Sequence, residues 1–442
     1  MKVYFYTLGC RVNQYETDAV RQAFIEAGYE IISEPSDADV VVVNTCTVTS
    51  EADRKSRQQL RRMARLSPKA VICAMGCSTE MSEGEVDADV VCGTKDKHLL
   101  ISKVQEFISS GKEHIHKGLR DDITEEDGYA EFGTVLSPEA SRAYIKIEDG
   151  CNNFCTYCII PYARGRVVSR EEDNILSEVK DLASKGIHEV CITGIHLCSY
   201  GKDRGEDIMS LYSLIDKIGK IEGIDRISLG SLEPKSLTDE FLNALSTQDK
   251  LCRHFHLSLQ SGSDTVLKRM NRHYDTAEFL EVTGKLRSLF PDMSLTTDII
   301  CGFPEETEDE FSETLEFVRK AGFNKVHVFP YSLRKGTKAA AMPQVPTNIA
   351  RERAGRLISL SDELEKEFTA SFIGKDVEVM VEASEVKDGK VYLKGYTNEY
   401  VYSRIGFDGS EEEASRYLCS IVKGTGKSSE GAQLFVESVF SK

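Results

Sequence analysis

The sequence predicts an α/β chain in three parts: an N-terminal Rossmann-like parallel sheet, a central partial (β/α)6 barrel and a small C-terminal all-β domain. Three observations predict it. Short apolar runs alternate with amphipathic stretches over residues 1–110, and the same alternation returns over 142–347. Beyond residue 371 it gives way to short runs joined by tight turns. At 442 residues the chain also exceeds one ordinary core, so separate domains are expected.

In the first part, Val3 to Tyr6 leads to Cys10, Val40 to Val43 to Cys46, and Val71 to Met75 to Cys77, each followed by a plausible helix. Ligands of parallel sheets gather beyond the carboxyl ends of the strands, so Cys10, Cys46 and Cys77 are expected to converge. Cys73 and Cys92 lie close enough in sequence to compete with them. A charged, aperiodic segment at 111–141, including the run Arg120 to Gly128, reads as a linker. The second part contains six strand-like runs: Ala143 to Ile147, Glu189 to Thr193, Arg226 to Leu229, His254 to Leu259, Thr297 to Ile300, and Lys325 to Phe329. A full eight-unit barrel takes roughly 250 residues, so these six units describe an incomplete one with its chemistry on the carboxyl-end loops. A helical connector at 348–370 precedes the third part, 371–442, whose runs Val377 to Val381 and Val391 to Leu393 flank the turn Lys387-Asp-Gly-Lys390 and read as a small β-barrel or sandwich.

Composition narrows the function. The first ten residues form only a brief apolar strand before a polar run, so no signal peptide is expected, and no stretch is apolar enough to span a bilayer. Thirteen cysteines in such a chain are expected to stay reduced in the cytoplasm, where closely spaced cysteines bind metal or do redox chemistry. A net charge of -17 argues against promiscuous phosphate-backbone binding, so any RNA contact must be local.

The sharpest motif is Cys151-Asn-Asn-Phe-Cys155-Thr-Tyr-Cys158, directly after the first barrel strand. Three thiolates from one loop leave one iron of a four-iron cluster open to an outside ligand. The competing reading is a structural zinc with a fourth ligand elsewhere. Thr193-Gly194, Glu233 in Ser231-Leu-Glu-Pro234, Gln260 in Ser258-Leu-Gln260, and Asp298 in Asp298-Ile-Ile-Cys-Gly-Phe-Pro304 all fall at the ends of later strands, where a barrel keeps its active site.

The C-x3-C-x2-C loop with an aromatic before its last cysteine resembles the radical S-adenosylmethionine superfamily. The resemblance implies that Cys151, Cys155 and Cys158 hold a 4Fe-4S cluster whose open iron binds S-adenosylmethionine, with Tyr157 against the cofactor's adenine. Part by part, the whole chain is similar to the methylthiotransferases, which join a cluster domain, a radical barrel and an RNA-binding domain of the TRAM type. Leu8-Gly-Cys-Arg-Val-Asn-Gln-Tyr-Glu-Thr17, Asn44-Thr-Cys-Thr47 and Gly76-Cys77 match the motifs that bind a second 4Fe-4S cluster in that family, which favours Cys77 over its neighbours.

The phrase around Cys10 looks most like the branch that converts N6-threonylcarbamoyladenosine, beside the tRNA anticodon, to its 2-methylthio form. Implied with it are radical cleavage of S-adenosylmethionine, sulfur presented by the second cluster, and methyl donation by a further S-adenosylmethionine. A low-potential electron donor such as flavodoxin or ferredoxin and a tRNA anticodon stem-loop are the implied partners. The competing functions are methylthiolation of isopentenyladenosine or of a ribosomal-protein aspartate, and, in another class, a non-catalytic iron-sulfur sensor or RNA-binding regulator.

For RNA, the stretch Glu51 to Arg65 sets six basic side chains, Arg54, Lys55, Arg57, Arg61, Arg62 and Arg65, against two acidic ones on a probable helix near Cys46. The C-terminal part carries nine Lys and Arg against twelve Asp and Glu, so its charge does not announce RNA binding. Its Tyr392, Tyr396, Tyr400 and Tyr402 are candidates for stacking on bases or for a core.

Overall fold

A computed structural model describes residues 1–111, 114, 116–119, 128–136 and 142–438. The charged run from Arg120 to Asp127 lies outside the described residues. The N-terminal sheet is wholly parallel: β1 (Lys2–Thr7), β2 (Glu30–Ile31), β3 (Val40–Thr45), β4 (Val71–Gly76) and β5 (Val90–Val91) lie in the order β2-β1-β3-β4-β5. Four consecutive valines make β3 a strand buried on both faces. Helices α1 (Arg11–Glu26), α2 (Ser50–Leu66), α3 (Cys77–Glu80) and α4 (Leu100–Ser110) connect the strands. Phe24 of α1 and Val104 of α4 pack on one face, and Leu60 and Met63 of α2 on the other.

Eight further strands build the centre: β6 (Arg142–Lys146), β7 (Glu148–Asp149), β8 (Val168–Ser169), β9 (Glu189–Thr193), β10 (Arg226–Leu229), β11 (His254–His256), β12 (Ser294–Cys301) and β13 (Lys325–Pro330). Six of them form two parallel halves, β10-β9-β6 and β11-β12-β13, joined by the bridges Ile227 to Leu251 and Leu232 to Leu257. The result is the expected open barrel. Strand β11 is shorter than the apolar run His254 to Leu259: past His256 the chain keeps only isolated bridges, Leu257 to Leu232 and Gln260 to Ile299, and Gln260 takes a left-handed φ of 73°. Outside lie α5 (Ile160–Arg164), α6 (Glu172–Ser184), α7 (Met209–Gly219), α8 (Asp239–Leu245), α9 (Asp264–Arg269), α10 (Thr276–Leu289) and α11 (Glu308–Ala321). The long α12 (Thr347–Ala370) leads to the last unit. There β14 (Asp376–Lys387), β15 (Lys390–Thr397), β16 (Tyr402–Phe407), β17 (Ile421–Glu430) and β18 (Gln433–Glu437) close into a barrel in the order β14-β15-β16-β18-β17. Asp388 and Gly389, both at positive φ, make the tight hairpin turn between β14 and β15.

Charged side chains lock the N-terminal sheet to the central barrel. The Glu16 carboxylate, 1% exposed, meets Lys97, Lys146 at 2.9 Å and Arg164 at 2.8 Å. Asp149 shares Lys146 and Arg164 at 2.6 and 3.0 Å. Burial disfavours the Glu16 anion, but Arg164, Lys146 and Lys97 outweigh it and hold this carboxyl well below the usual range. Beside this cluster, Arg170 pairs with Glu178, Tyr15 donates to Glu178 at 3.5 Å, and residues 128–136 are drawn in through Glu131 on Arg170 and the Val135 amide on Glu178. Breaking a buried ion pair from one side leaves the other charges uncompensated, at about 3 to 5 kcal/mol. Glu16→Gln is therefore expected to destabilise the chain by about 3 kcal/mol or more, read as a lower urea midpoint. Loss of under ~1 kcal/mol would show that the network is not a structural necessity.

Candidate active site

The three N-terminal cysteines sit at the carboxyl ends of adjacent parallel strands. Cys10 caps α1 after β1, Cys46 follows β3, and Cys77 follows β4. Asn13 ties their loops together: its amide donates to the carbonyls of Leu8 (2.9 Å) and Thr45 (3.1 Å), while its oxygen accepts from Arg164 (3.1 Å) and the Cys10 thiol (3.6 Å). On the other side of Cys46, the Ser56 hydroxyl of α2 accepts from its amide and donates to its carbonyl, both at 3.0 Å. Gly76 makes the turn into Cys77 possible. Its φ is 109°, and a Cβ there would stand 2.5 Å from the Asn44 side chain and the Thr45 carbonyl. Burial raises the Cys46 thiol to about 11 and raises Cys77 as well, opposed in both cases by the charge of Arg164. The rivals Cys73 and Cys92 lie in the apolar core between the sheet and helices α1 and α4, among Val3, Phe24 and Leu100.

Cys151, Cys155 and Cys158 occupy the loop between β7 and α5. The loop holds Phe154 at a φ of 47° and is buttressed by Asn271, whose amide donates to the carbonyls of Asn153 and Phe154 at 3.3 Å. Arg272 donates to the Cys155 sulfur at 3.3 Å and pairs with Glu233 at 3.2 Å. Glu233 also accepts from His196 (2.8 Å) and Asn153 (3.2 Å). Burial opposes its ionisation, yet the His196 hydrogen bond and the His196 and Arg272 charges bring it down to about 2. Among the described residues, no three His, Cys, Asp or Glu side chains stand close enough to hold one metal ion. The donor set, three thiols on one loop with a cation at one sulfur, fits a cluster ligand loop.

The other expected residues distribute around the barrel interior. Tyr157 lies half-buried, edge-on to Phe303. Thr193 and Gly194 end β9, where a Cβ on Gly194 would stand 2.1 Å from the Glu148 carboxylate. The Gln260 backbone N–H donates to the Asp298 backbone carbonyl at 2.8 Å, and the Asp298 carboxylate lies 3.4 Å from His256. A cavity of about 950 Å³ runs from Gly9, Cys10 and Arg11 past Thr193, Gly194 and Asp298 to Tyr396, Tyr400 and Tyr402 of the C-terminal barrel. The two tyrosines nearest the seam are spoken for: Tyr400 stacks between His254 and Tyr396, each at 4.6 Å, under the Arg142 guanidinium. The six basic residues of α2 are all exposed, but Arg54 and Lys55 pair with Glu51, Arg57 with Asp53, and Arg61 with Asp87. Sequence reasoning missed Glu16, Arg164, His196 and Arg272 as site-building residues. Glu16 lay inside the quoted Cys10 motif and His196 two residues past Gly194, whereas nothing local marked Arg272.

Comparison with known proteins places this architecture. The Radical SAM superfamily profile matches residues 145–318, and that of Uncharacterized protein family UPF0004 matches residues 2–92. Fold and cysteine loop thus define a radical S-adenosylmethionine enzyme. The chain is 41% identical to threonylcarbamoyladenosine tRNA methylthiotransferase MtaB of Bacillus subtilis, over 93% of this chain and 91% of that one. It is also 41% identical to MtaB of Aquifex aeolicus, over 90% and 95%. Identity is 36% to the tRNA-2-methylthio-N(6)-dimethylallyladenosine synthase of Caldicellulosiruptor saccharolyticus, over 89% and 85%. The chain therefore belongs to the radical S-adenosylmethionine methylthiotransferase family, which implies S-adenosylmethionine and two 4Fe-4S clusters as its cofactors. Among solved structures, the methyltransferase TsrM of Kitasatospora setae shares the fold with a TM-score of 0.57 at 13% identity, over 77% of this chain and 74% of that one. Among the described residues no helix is long and apolar enough to cross a membrane.

The Gly76 turn yields a direct test. Gly76→Ala is expected to displace Cys77 and lower the iron bound on anaerobic reconstitution by roughly half, with the Cys151 loop still loaded. Unchanged iron content would show that the turn does not serve the cysteines.

Proposed function

We propose that this protein converts N6-threonylcarbamoyladenosine next to the tRNA anticodon to its 2-methylthio derivative, in the cytoplasm, drawing electrons from a low-potential donor such as flavodoxin or ferredoxin. The observation that carries the reading is the placement of Cys10 on the wall of a barrel cavity that also bears Thr193, Gly194 and Asp298. The names of the 41% identical relatives support the choice of base. When bound, the two clusters and S-adenosylmethionine supply the radical, the sulfur and the methyl group.

The chain's own residues do the rest. Cys151, Cys155 and Cys158 would hold one cluster, and Cys10, Cys46 and Cys77 the second. Glu233, kept anionic by His196 and Arg272, lies beside the first loop as a fixed negative charge, and Tyr157, Thr193, Gly194, Gln260 and Asp298 would line the cofactor's place. An anticodon loop offers an unpaired base that can be extruded into the cavity at low cost. The exposed face of α2, whose Arg62 and Arg65 make no ion pair among the described residues, would meet its phosphates. The cluster, barrel and TRAM-like domains would span residues 1–110, 142–347 and 371–442.

The test is mass spectrometry of nucleosides from tRNA treated with reconstituted, reduced protein and S-adenosylmethionine. Methylthio product from threonylcarbamoyladenosine alone is expected. Product from isopentenyladenosine would move the protein to the sister branch, and cleavage of S-adenosylmethionine with neither product would point to a protein substrate. Replacing Cys10, Cys46 and Cys77 together by serine is expected to abolish methylthio product while 5'-deoxyadenosine formation persists.

A further inference from the structure

Among the cations along the cavity, Arg11 stands apart. Lys325 is paired with Glu365 at 2.7 Å and Arg404 with Glu385. Arg11 has no carboxylate partner among the described residues; its guanidinium donates to the Cys191 sulfur at 3.6 Å and lies 6.0 Å from the Tyr144 ring. It is also the residue next to Cys10. Its side chain reaches from that cysteine into the lumen of the barrel, on the wall of the 950 Å³ cavity. The rest of that wall mixes polar groups, His256, His327 and Asp298 among them, with the rings of Tyr396, Tyr400 and Tyr402 and the small apolar Val12 and Ala432.

An arginine on a cavity wall without a counter-ion suits an anion, because its planar fork of donors matches a carboxylate or phosphate oxygen pair. We infer that Arg11 is the specificity determinant of this enzyme: it receives the carboxylate of the threonylcarbamoyl group, so that the N6 substituent points down the lumen while the ring stays beside Cys10. The inference rests on the proposed base and adds to it the residue that selects that base. An apolar isopentenyl group would instead leave the Arg11 charge against hydrocarbon without an anion. An anionic oxygen from the RNA backbone is the other source of the same chemistry.

The test measures binding rather than turnover. Reconstituted full-length protein is titrated with anticodon stem-loops that differ only in one base: threonylcarbamoyladenosine, its threonyl methyl ester, or plain adenosine. The wild type is expected to bind the free acid roughly tenfold or more tightly than the ester. Arg11→Gln should bind the two equally, and Arg11→Lys should recover part of the preference, at unchanged iron content. Equal binding of acid and ester by the wild type overturns the inference. So does a uniform loss by Arg11→Gln on all three stem-loops, which would assign Arg11 to a phosphate. The acid-to-ester comparison needs no variant, so a misfolded substitution leaves the test intact. Turnover is scored apart: absence of methylthio product from the wild type would fail the proposed function, whereas the binding ratio reads Arg11 alone.

Discussion

The structure turns on one buried carboxylate. Glu16 belongs by sequence to the loop and helix that present Cys10, yet two of its three cationic partners, Lys146 and Arg164, belong to the barrel. Lys146 ends the first barrel strand and Arg164 closes the short helix after the Cys151 loop. One anion thereby fixes the start of the barrel, the end of its cysteine loop and the N-terminal sheet to a common point. Two carboxylates, Glu16 and Asp149, face three cations there, and the charge of Arg164 opposes the rise that burial imposes on the Cys77 and Cys46 thiols. An excess of cation is what a site built to accept thiolates requires.

At the other end, the C-terminal barrel closes the amino-terminal side of the central one. Arg142 and Arg226, the first residues of β6 and β10, reach into it, to the Tyr400 hydroxyl at 2.6 Å and the Tyr396 carbonyl at 3.1 Å. The cavity is therefore floored by the third unit and opens beside the first. Its tyrosines, two of them stacked in that seam, shape the chamber and are not a free platform for bases.

Much of this was legible in the sequence, for physical reasons. The apolar runs of the sheets are period-two or continuous, and those at Glu189 to Thr193 and Arg226 to Leu229 coincide with the observed strands. The approach of Cys10, Cys46 and Cys77 followed from parallel topology alone, since three neighbouring strands share a carboxyl edge. What stayed hidden depends on contacts distant in sequence. Glu16 and Arg164 meet across 148 positions, and Arg272 reaches Cys155 across 117. The end of β11 at His256 could not be read from its apolar pattern, which runs on through Leu259, because only the isolated bridges to Leu232 and Ile299 mark where regular pairing stops.

The claim that Glu16 locks the two cysteine-bearing loops to each other is tested most directly by amide hydrogen exchange on the wild type and Glu16→Gln, both with clusters assembled. The account predicts that protection falls together in residues 8–17, 44–47 and 160–166, while the C-terminal barrel at 376–437 is unchanged. Loss of protection confined to α1, or none in the segment after the Cys151 loop, would contradict it.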